Sequence, residues 1–166
     1  MSRDIRIISG GQSGADRAAL DAALELGIPC GGWCPPGRAA EDGVIPDRYP
    51  LTPLPAQAVP AGADAYEQRT LRNVLDSDGT VIVCFGVPAG GSETARAAAI
   101  AAGRPLLVID ADVTPPPAAA EQIAQFARAH GVHALNVAGP RASEQPAIGP
   151  FVHEALTLAL RRLAER

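Results

Sequence analysis

The stretch ISGGQSGADRAAL, residues 8–20, decides how the chain is to be read. An apolar run stops at Gly10 and Gly11, passes Gln12, Ser13 and Gly14, and enters an alanine-rich segment behind the acid-base pair Asp16-Arg17. Upstream, DIRIIS (Asp4 to Ser9) has the β-branched content of a short strand that ends at glycines. Downstream, the apolar positions Ala18, Leu20, Ala22, Ala23, Leu24 and Leu26 predict a helix over 14–26 that Gly27 ends. Ser13 and Asp16 have the Ser-x-x-acid spacing of a capping box, with Asp a poorer third-turn partner than Glu. The unit is therefore strand, glycine turn, helix, with no residue to spare between them.

The same unit recurs. GTVIVCF (79–85) is a continuous apolar run of the kind buried on both sheet faces, and GVPAGGSETARAAAIAAG (86–103) is a second glycine turn feeding a second alanine-rich helix. RPLLVIDAD (104–112) is another buried strand, Pro115 to Pro117 open a helix that runs to about His130, and HALNVAG (133–139) is a further strand. After GPRASEQPAIG (139–149), a last helix is expected over 150–164. A short strand within GIPCGGWCP (27–35) and a helix over 64–76 complete the set. Strands alternating with helices predict an α/β fold: a Rossmann-like doubly wound parallel sheet in a single domain. Between them, residues 35–63 form a Pro/Gly-rich loop without periodicity, the length of a lid, an arm gripping another subunit, or a linker; Trp33, Ile45, Tyr49 and Leu51 supply apolar anchors.

Composition narrows the function. The 166 residues carry a net charge of −4, against the clustered positive charge that nucleic-acid binding draws on, so no nucleic-acid partner is expected. No apolar run reaches the roughly 20 residues of a membrane span, and no signal peptide precedes the first strand, which predicts a cytoplasmic protein with no membrane partner. All 14 basic residues are arginine, which excludes a P-loop lysine and lysine Schiff-base chemistry. Cys30, Cys34 and Cys84 are too few and wrongly spaced for a zinc site, so no metal ligand set is assigned and reduced thiols are expected. Gly10-Gly11-Gln12-Ser13-Gly14 departs from both the G-x-G-x-x-G and Walker A patterns.

In a doubly wound sheet, strand-to-helix loops share the carboxyl edge, where ligands bind at the reversal of strand order. Three loops then meet: 9–17, 86–94 and 138–146. Glycines Gly10, Gly11, Gly14, Gly90, Gly91 and Gly139 permit close approach of backbone, and helix N-termini favour an anion. Gln12, Ser13, Ser92 and Thr94 add polar side chains, and Arg17 and Arg141 can grip a phosphoryl or carboxylate group. The expected ligand is a small phosphorylated molecule. Asp16 either caps its helix and holds Arg17 or receives a ribose hydroxyl or acts as a general base; Glu93 is the other catalytic candidate, and Glu144 has the same ambiguity. Arg69 and Arg72 share a helix face that either lines the crevice or, more commonly for such spacing, is solvated.

The opening block GGQSGADRAALDAALELGIPCGGWCPPGRAAEDGVIPDRYPL, with DSDGTVIV, the Gly90-Gly91-Ser92 turn and LNVAGPR, resembles the molybdenum carrier protein family, and is similar to the circularly permuted YpsA-like branch of the SLOG superfamily, which also holds the lysine-decarboxylase-like cytokinin-activating enzymes. The resemblance implies a Rossmann-like fold, self-association into dimers or tetramers, and a nucleotide or molybdenum cofactor as ligand. It aligns Gly10, Gly11, Ser13, Gly14, Asp16 and Arg17 with the family's glycine motif. The phosphoribohydrolase relatives imply the alternative of a nucleotide N-glycosidase, although PAGGSETARAA reproduces their Pro-Gly-Gly-x-Gly-Thr turn only in part.

Overall fold

The computed structural model describes residues 5–165. In chain order the elements are β1 (Arg6–Ile8), α1 (Ala15–Glu25), β2 (Cys30–Gly31), β3 (Trp33–Cys34), β4 (Ala39–Ala40), β5 (Gly43–Val44), β6 (Thr52–Pro53), α2 (Ala65–Leu75), β7 (Gly79–Cys84), α3 (Gly90–Ala101), β8 (Leu106–Asp110), α4 (Pro116–His130), β9 (Ala134–Ala138) and α5 (Ile148–Ala164). Asp4, placed in the first strand by sequence, lies outside the described residues. The last helix starts at Ile148, two residues earlier than the proline at 150 suggested, because Pro150 falls within its first turn, where no N–H is needed.

Five strands form the main sheet in the order β2-β1-β9-β7-β8, and every pairing is parallel. Alternation along β7 shows why the run is apolar throughout. Val81 and Val83 join the large core made with α1, α4 and α5, while Ile82 joins Val74, Ala95 and Ala99 beneath α2 and α3. Alanine dominates the sheet-facing sides of α1 and α4, so helix backbones can settle close to the strands. The chain is thus an α/β single domain with a doubly covered parallel sheet.

Strand order creates the crevice. The last strand, β9, is inserted between β1 and β7. Its helix α5 packs with α1 and α4 on one face, whereas the helix that follows β7, α3, packs with α2 on the other. Loops from neighbouring parallel strands that depart to opposite faces must separate, and the gap opens at their carboxyl ends.

Residues 35–63 form an ordered arm. The strand expected within 27–35 is split at Gly32 (φ 138°): β2 stays in the main sheet, and β3 pairs in parallel with β6 of the arm. A short antiparallel corner pairs Ala39 with Val44 and Ala40 with Gly43. Buried Cys34, Ile45, Tyr49 and Leu51 pack on Leu20 of α1, and the Tyr49 hydroxyl donates to Asp21 Oδ1 at 2.8 Å. Arg38 organises the interior of the arm. Its guanidinium donates to the carbonyls of Ile45 (3.2 Å), Leu51 (3.1 Å), Pro46 (2.8 Å) and Tyr49 (2.9 Å), a segment too proline-rich to satisfy its carbonyls in a regular ladder. The three cysteines are free thiols. Among the described residues, no helix is long and apolar enough to cross a membrane.

Replacing Arg38 by alanine strands the Ile45 and Leu51 carbonyls, while those of Pro46 and Tyr49 keep the N–H groups of Tyr49 and Leu51. Arg38→Ala should make the arm susceptible to chymotrypsin near Tyr49 and Leu51 and lower the unfolding free energy by about 1–3 kcal/mol. Limited proteolysis followed by urea denaturation measures both, and an arm as resistant as the wild type would show that the packing on Leu20 suffices without Arg38.

Candidate functional site

The crevice at the carboxyl edge is lined by all three loops and by one face of α2. Gly10, Gln12 and Asp16 come from the first loop and its helix, Gly91 and Ser92 from the start of α3, and Gly139 and Arg141 from the third loop. Gly11, Ser13, Gly14, Arg17, Gly90, Thr94 and Glu93 do not line it. Helical rotation accounts for much of the division, since successive residues point about 100° apart around the axis. Asp16 faces the crevice and Arg17 is carried away from it; likewise Ser92 faces in and Glu93 and Thr94 do not.

The residues turned away have partners of their own. Arg17 forms a two-pronged ion pair with Asp42 of the arm, and its Nε donates to Gly11 O at 3.0 Å. These contacts brace the loop against the arm. Glu93 pairs with Arg96 at 2.6 Å on the outer surface of α3, which holds its carboxyl below the usual range. The Thr94 hydroxyl donates to Gly90 O at 3.3 Å. The capping box does not form: Gly14 is the N-cap of α1, and the Ser13 hydroxyl instead donates to Glu41 and accepts from Ala142 N–H at 3.1 Å.

Most glycines of the first loop make room for the protein itself. A Cβ at Gly10 would stand 1.9 Å from Arg69 Nη1, one at Gly11 2.3 Å from Leu51 Cδ1, and one at Gly14 2.6 Å from Pro140 O. At Gly139 it would lie 2.4 Å from Val83 O. Gly91 differs, because no described atom lies within 4 Å of such a Cβ. Three amides of the first loop are also taken: Gln12 N–H by Asp16 (3.2 Å), Ser13 N–H by Gln12 Oε1 (3.0 Å), and Ala15 N–H by Pro140 O (3.2 Å). The N-terminus of α3, where Ala89, Gly91 and Ser92 line the crevice, has no side-chain cap among the described residues, and of its first amides those of Ser92 and Glu93 donate to Ala89 O at 3.1 and 3.4 Å.

Two buried polar atoms in the crevice, Gln12 Nε2 and Ser92 Oγ, have no hydrogen-bond partner among the described residues. Gln12 is 6% exposed and Ser92 3%. The orientation of the Gln12 amide is fixed, since its Oε1 accepts from the N–H groups of both Ser13 (3.0 Å) and Glu41 (2.9 Å), which leaves Nε2 as the unpartnered donor. An unpaired buried donor costs about 1–3 kcal/mol, so each is a place where a bound group gains.

Arg69 is the residue that the solvated-face reading misplaced. It is 6% exposed, and its Nη1 lies 3.2 Å from Asp16 Oδ2 against the bare backbone of Gly10. Tyr66, Arg69, Thr70 and Asn73 form an i, i+3, i+4, i+7 stripe on α2, and that run of polar residues at helical spacing is the sequence signal for a buried polar face. Arg72 is half exposed and lies over the Trp33 ring, its charged carbon 4.7 Å from the centroid. Burial raises the Asp16 carboxyl above the usual range, with the Arg69 guanidinium opposing that rise. Arg141 is held more loosely: Glu144 lies 3.1 Å from its Nε, and both side chains are well exposed, an arrangement readily exchanged for a ligand's charge. Among the described residues there is no group of three or more His, Cys, Asp or Glu that could hold a metal ion.

A carboxyl whose pKa is raised by folding binds its proton more tightly in the folded than in the unfolded chain. Its contribution to stability is fully present below the unfolded value of 3.8 and is lost as pH rises through the folded value. Asp16→Asn should therefore remove a component of stability that declines with rising pH above about 4, as read from urea unfolding across pH; equal slopes for the two proteins would mean Asp16 titrates at its ordinary value. Arg69→Ala, which leaves Asp16 buried without its partner, should cost about 3–5 kcal/mol, against about 1 kcal/mol or less for the more exposed pair lost in Arg17→Ala.

Comparison with known proteins agrees with this architecture. No curated protein matches the chain. The crystal structure of a putative molybdenum carrier protein from Syntrophus aciditrophicus SB is similar at 42% identity and a TM-score of 0.88, covering 96% of this chain and 98% of that one. Residues 7–160 match the model of the circularly permutated YpsA SLOG family, a span that includes all three loops, the arm and α2. The chain belongs to that family.

Proposed function

We propose that the crevice binds a small phosphorylated ligand, a nucleotide or a phosphorylated pterin such as the organic part of the molybdenum cofactor, and that the protein acts as its carrier. The observation that carries this reading is the pair of orphaned donors, Gln12 Nε2 and Ser92 Oγ, set beside the uncapped start of α3. Unpartnered donors on two loops that line one crevice call for an acceptor-rich group, and a phosphoryl group is the compact example. Arg141 supplies charge at the rim. Arg69 lies at depth, where its pairing with Asp16 keeps the floor close to neutral. The resemblance to a molybdenum carrier enters here as support for the ligand class. The residues fit the phosphoryl end of such a cofactor, held by Gln12, Ser92, Arg69 and Arg141.

A hydrolytic reading, nucleotide N-glycosidase activity, rests on a different observation. Asp16 is an acid at the crevice with its proton held more tightly than usual, as a group that assists loss of a base requires, while Glu93 is turned outward. Incubation with AMP and GMP distinguishes the two: a carrier returns the nucleotides intact, and a glycosidase releases free base.

Calorimetric titration with AMP, GMP and inorganic pyrophosphate tests the site. Arg141→Ala and Ser92→Ala should each weaken binding, the first on the order of 10- to 100-fold, equivalent to the 1.5–3 kcal/mol of a charge-assisted hydrogen bond. Arg17→Ala should leave affinity within about threefold, since the expected difference is well under the 1.4 kcal/mol of a tenfold change. The reverse ranking, with Arg17 dominant, would move the anion site to α1.

A further inference from the structure

Glu41 does not line the crevice, yet it touches most of what shapes it. It sits on the corner between β4 and β5 of the arm. Its backbone N–H donates to Gln12 Oε1 at 2.9 Å and completes the pair of bonds that points Gln12 Nε2 inward. Its carboxylate accepts from the Ser13 hydroxyl on the first loop, and from both the hydroxyl and the N–H (3.1 Å) of Ser143 on the third. Arg141 Nε lies 3.9 Å from the same carboxylate. Asp42, the next residue, takes Arg17 and through it Gly11.

We propose that Glu41 is a positioning residue of the anion site: it orients the Gln12 amide and sets the register of the 139–147 loop, so that Gln12, Ser92 and Arg141 converge on one phosphoryl group. This rests on the reading that the crevice binds such a group. Joining the loops is not the reason for the residue, because the pairing of β1 with β9 and the bond from Ala15 N–H to Pro140 O already do that. What Glu41 adds is directional. Without its carboxylate the corner loses its ties to Ser13 and Ser143, so the Glu41 N–H that fixes the Gln12 amide is no longer anchored and the amide can turn over, presenting its oxygen to an anion. Without its carboxylate, Ser13 and Ser143 lose their shared acceptor and Arg141 loses one of the two carboxylates that place it. A carboxylate suits the position, since all three of its hydrogen-bond contacts are from donors and a glutamine there would present an amide to one of them.

The test has two readouts in Glu41→Ala and Glu41→Gln. Hydrogen exchange followed by NMR, without ligand, should show the amides of Ser13, Ala142 and Ser143 exchanging at least about tenfold faster in Glu41→Ala while those of β7 keep their wild-type rates, a local opening distinct from global unfolding. Titration with AMP and pyrophosphate should show at least about tenfold weaker binding in Glu41→Ala, an intermediate loss in Glu41→Gln, and thermal midpoints within a few degrees of wild type. Wild-type affinity together with wild-type exchange in Glu41→Ala overturns the positioning role and leaves the site reading intact. Loss of affinity that merely tracks a fall in the thermal midpoint also overturns it, as a structural effect. Failure of the wild type to bind either probe removes the site reading, and the proposal with it.

Discussion

The structure depends on where the last strand goes. By entering the sheet between β1 and β7, β9 sets the third loop beside the first and sends α5 to the face opposite α3. The first loop and the third are consequently in direct contact, backbone to backbone, at Gly14 and Pro140. The second loop is separated from them by the divergence of its helix, and the separation is the crevice. Only glycine tolerates these approaches at 14 and 139, where a Cβ would meet a carbonyl oxygen, so the glycines belong to the junction before they belong to any ligand.

This alters how a glycine-rich turn is to be understood. The first loop has three glycines and was expected to wrap a phosphoryl group with its amides. Three of its amides, those of Gln12, Ser13 and Ala15, are satisfied internally by Asp16, Gln12 and Pro140, and its glycines admit Arg69, Leu51 and the neighbouring loop. What the loop contributes to the crevice is a rigid frame that aims one donor, Gln12 Nε2, and one buried acid, Asp16. The second turn, with fewer contacts around Gly91 and an uncapped helix behind it, has the properties expected of both. The Asp16–Arg69 pair joins the two faces of the sheet, since α1 and α2 lie on opposite sides, and it is the deepest charge in the site.

The sequence made the α/β class and the three-loop edge legible, because the apolar runs at 79–85 and 133–139 and the glycine turns after 9 and 85 are local signals with local causes. Strand order was not legible: nothing in HALNVAG says that it pairs with β1 on one side and β7 on the other. Which neighbour faces the crevice was equally hidden. Asp16 and Arg17 are adjacent in sequence, and a turn of helix phase fixed by Gly14 decides between them. Arg69 and Glu41 were out of reach for another reason, as each reaches the first loop from more than twenty residues away, Glu41 from an arm without periodicity. The apolar anchors Ile45, Tyr49 and Leu51 did mark the arm as ordered, and they are the residues that pin it to Leu20.

A crystal structure of the protein with AMP bound is the most direct measure of the account. It predicts the phosphorus atom at the start of α3, with its oxygens in hydrogen-bond reach of Ser92 Oγ, Gln12 Nε2 and the Arg141 guanidinium, and Arg17 still paired with Asp42. A phosphoryl group found instead at the N-terminus of α1, with Arg17 released from Asp42 to hold it, or in the groove beside His153 on the α1–α5 face, would contradict it.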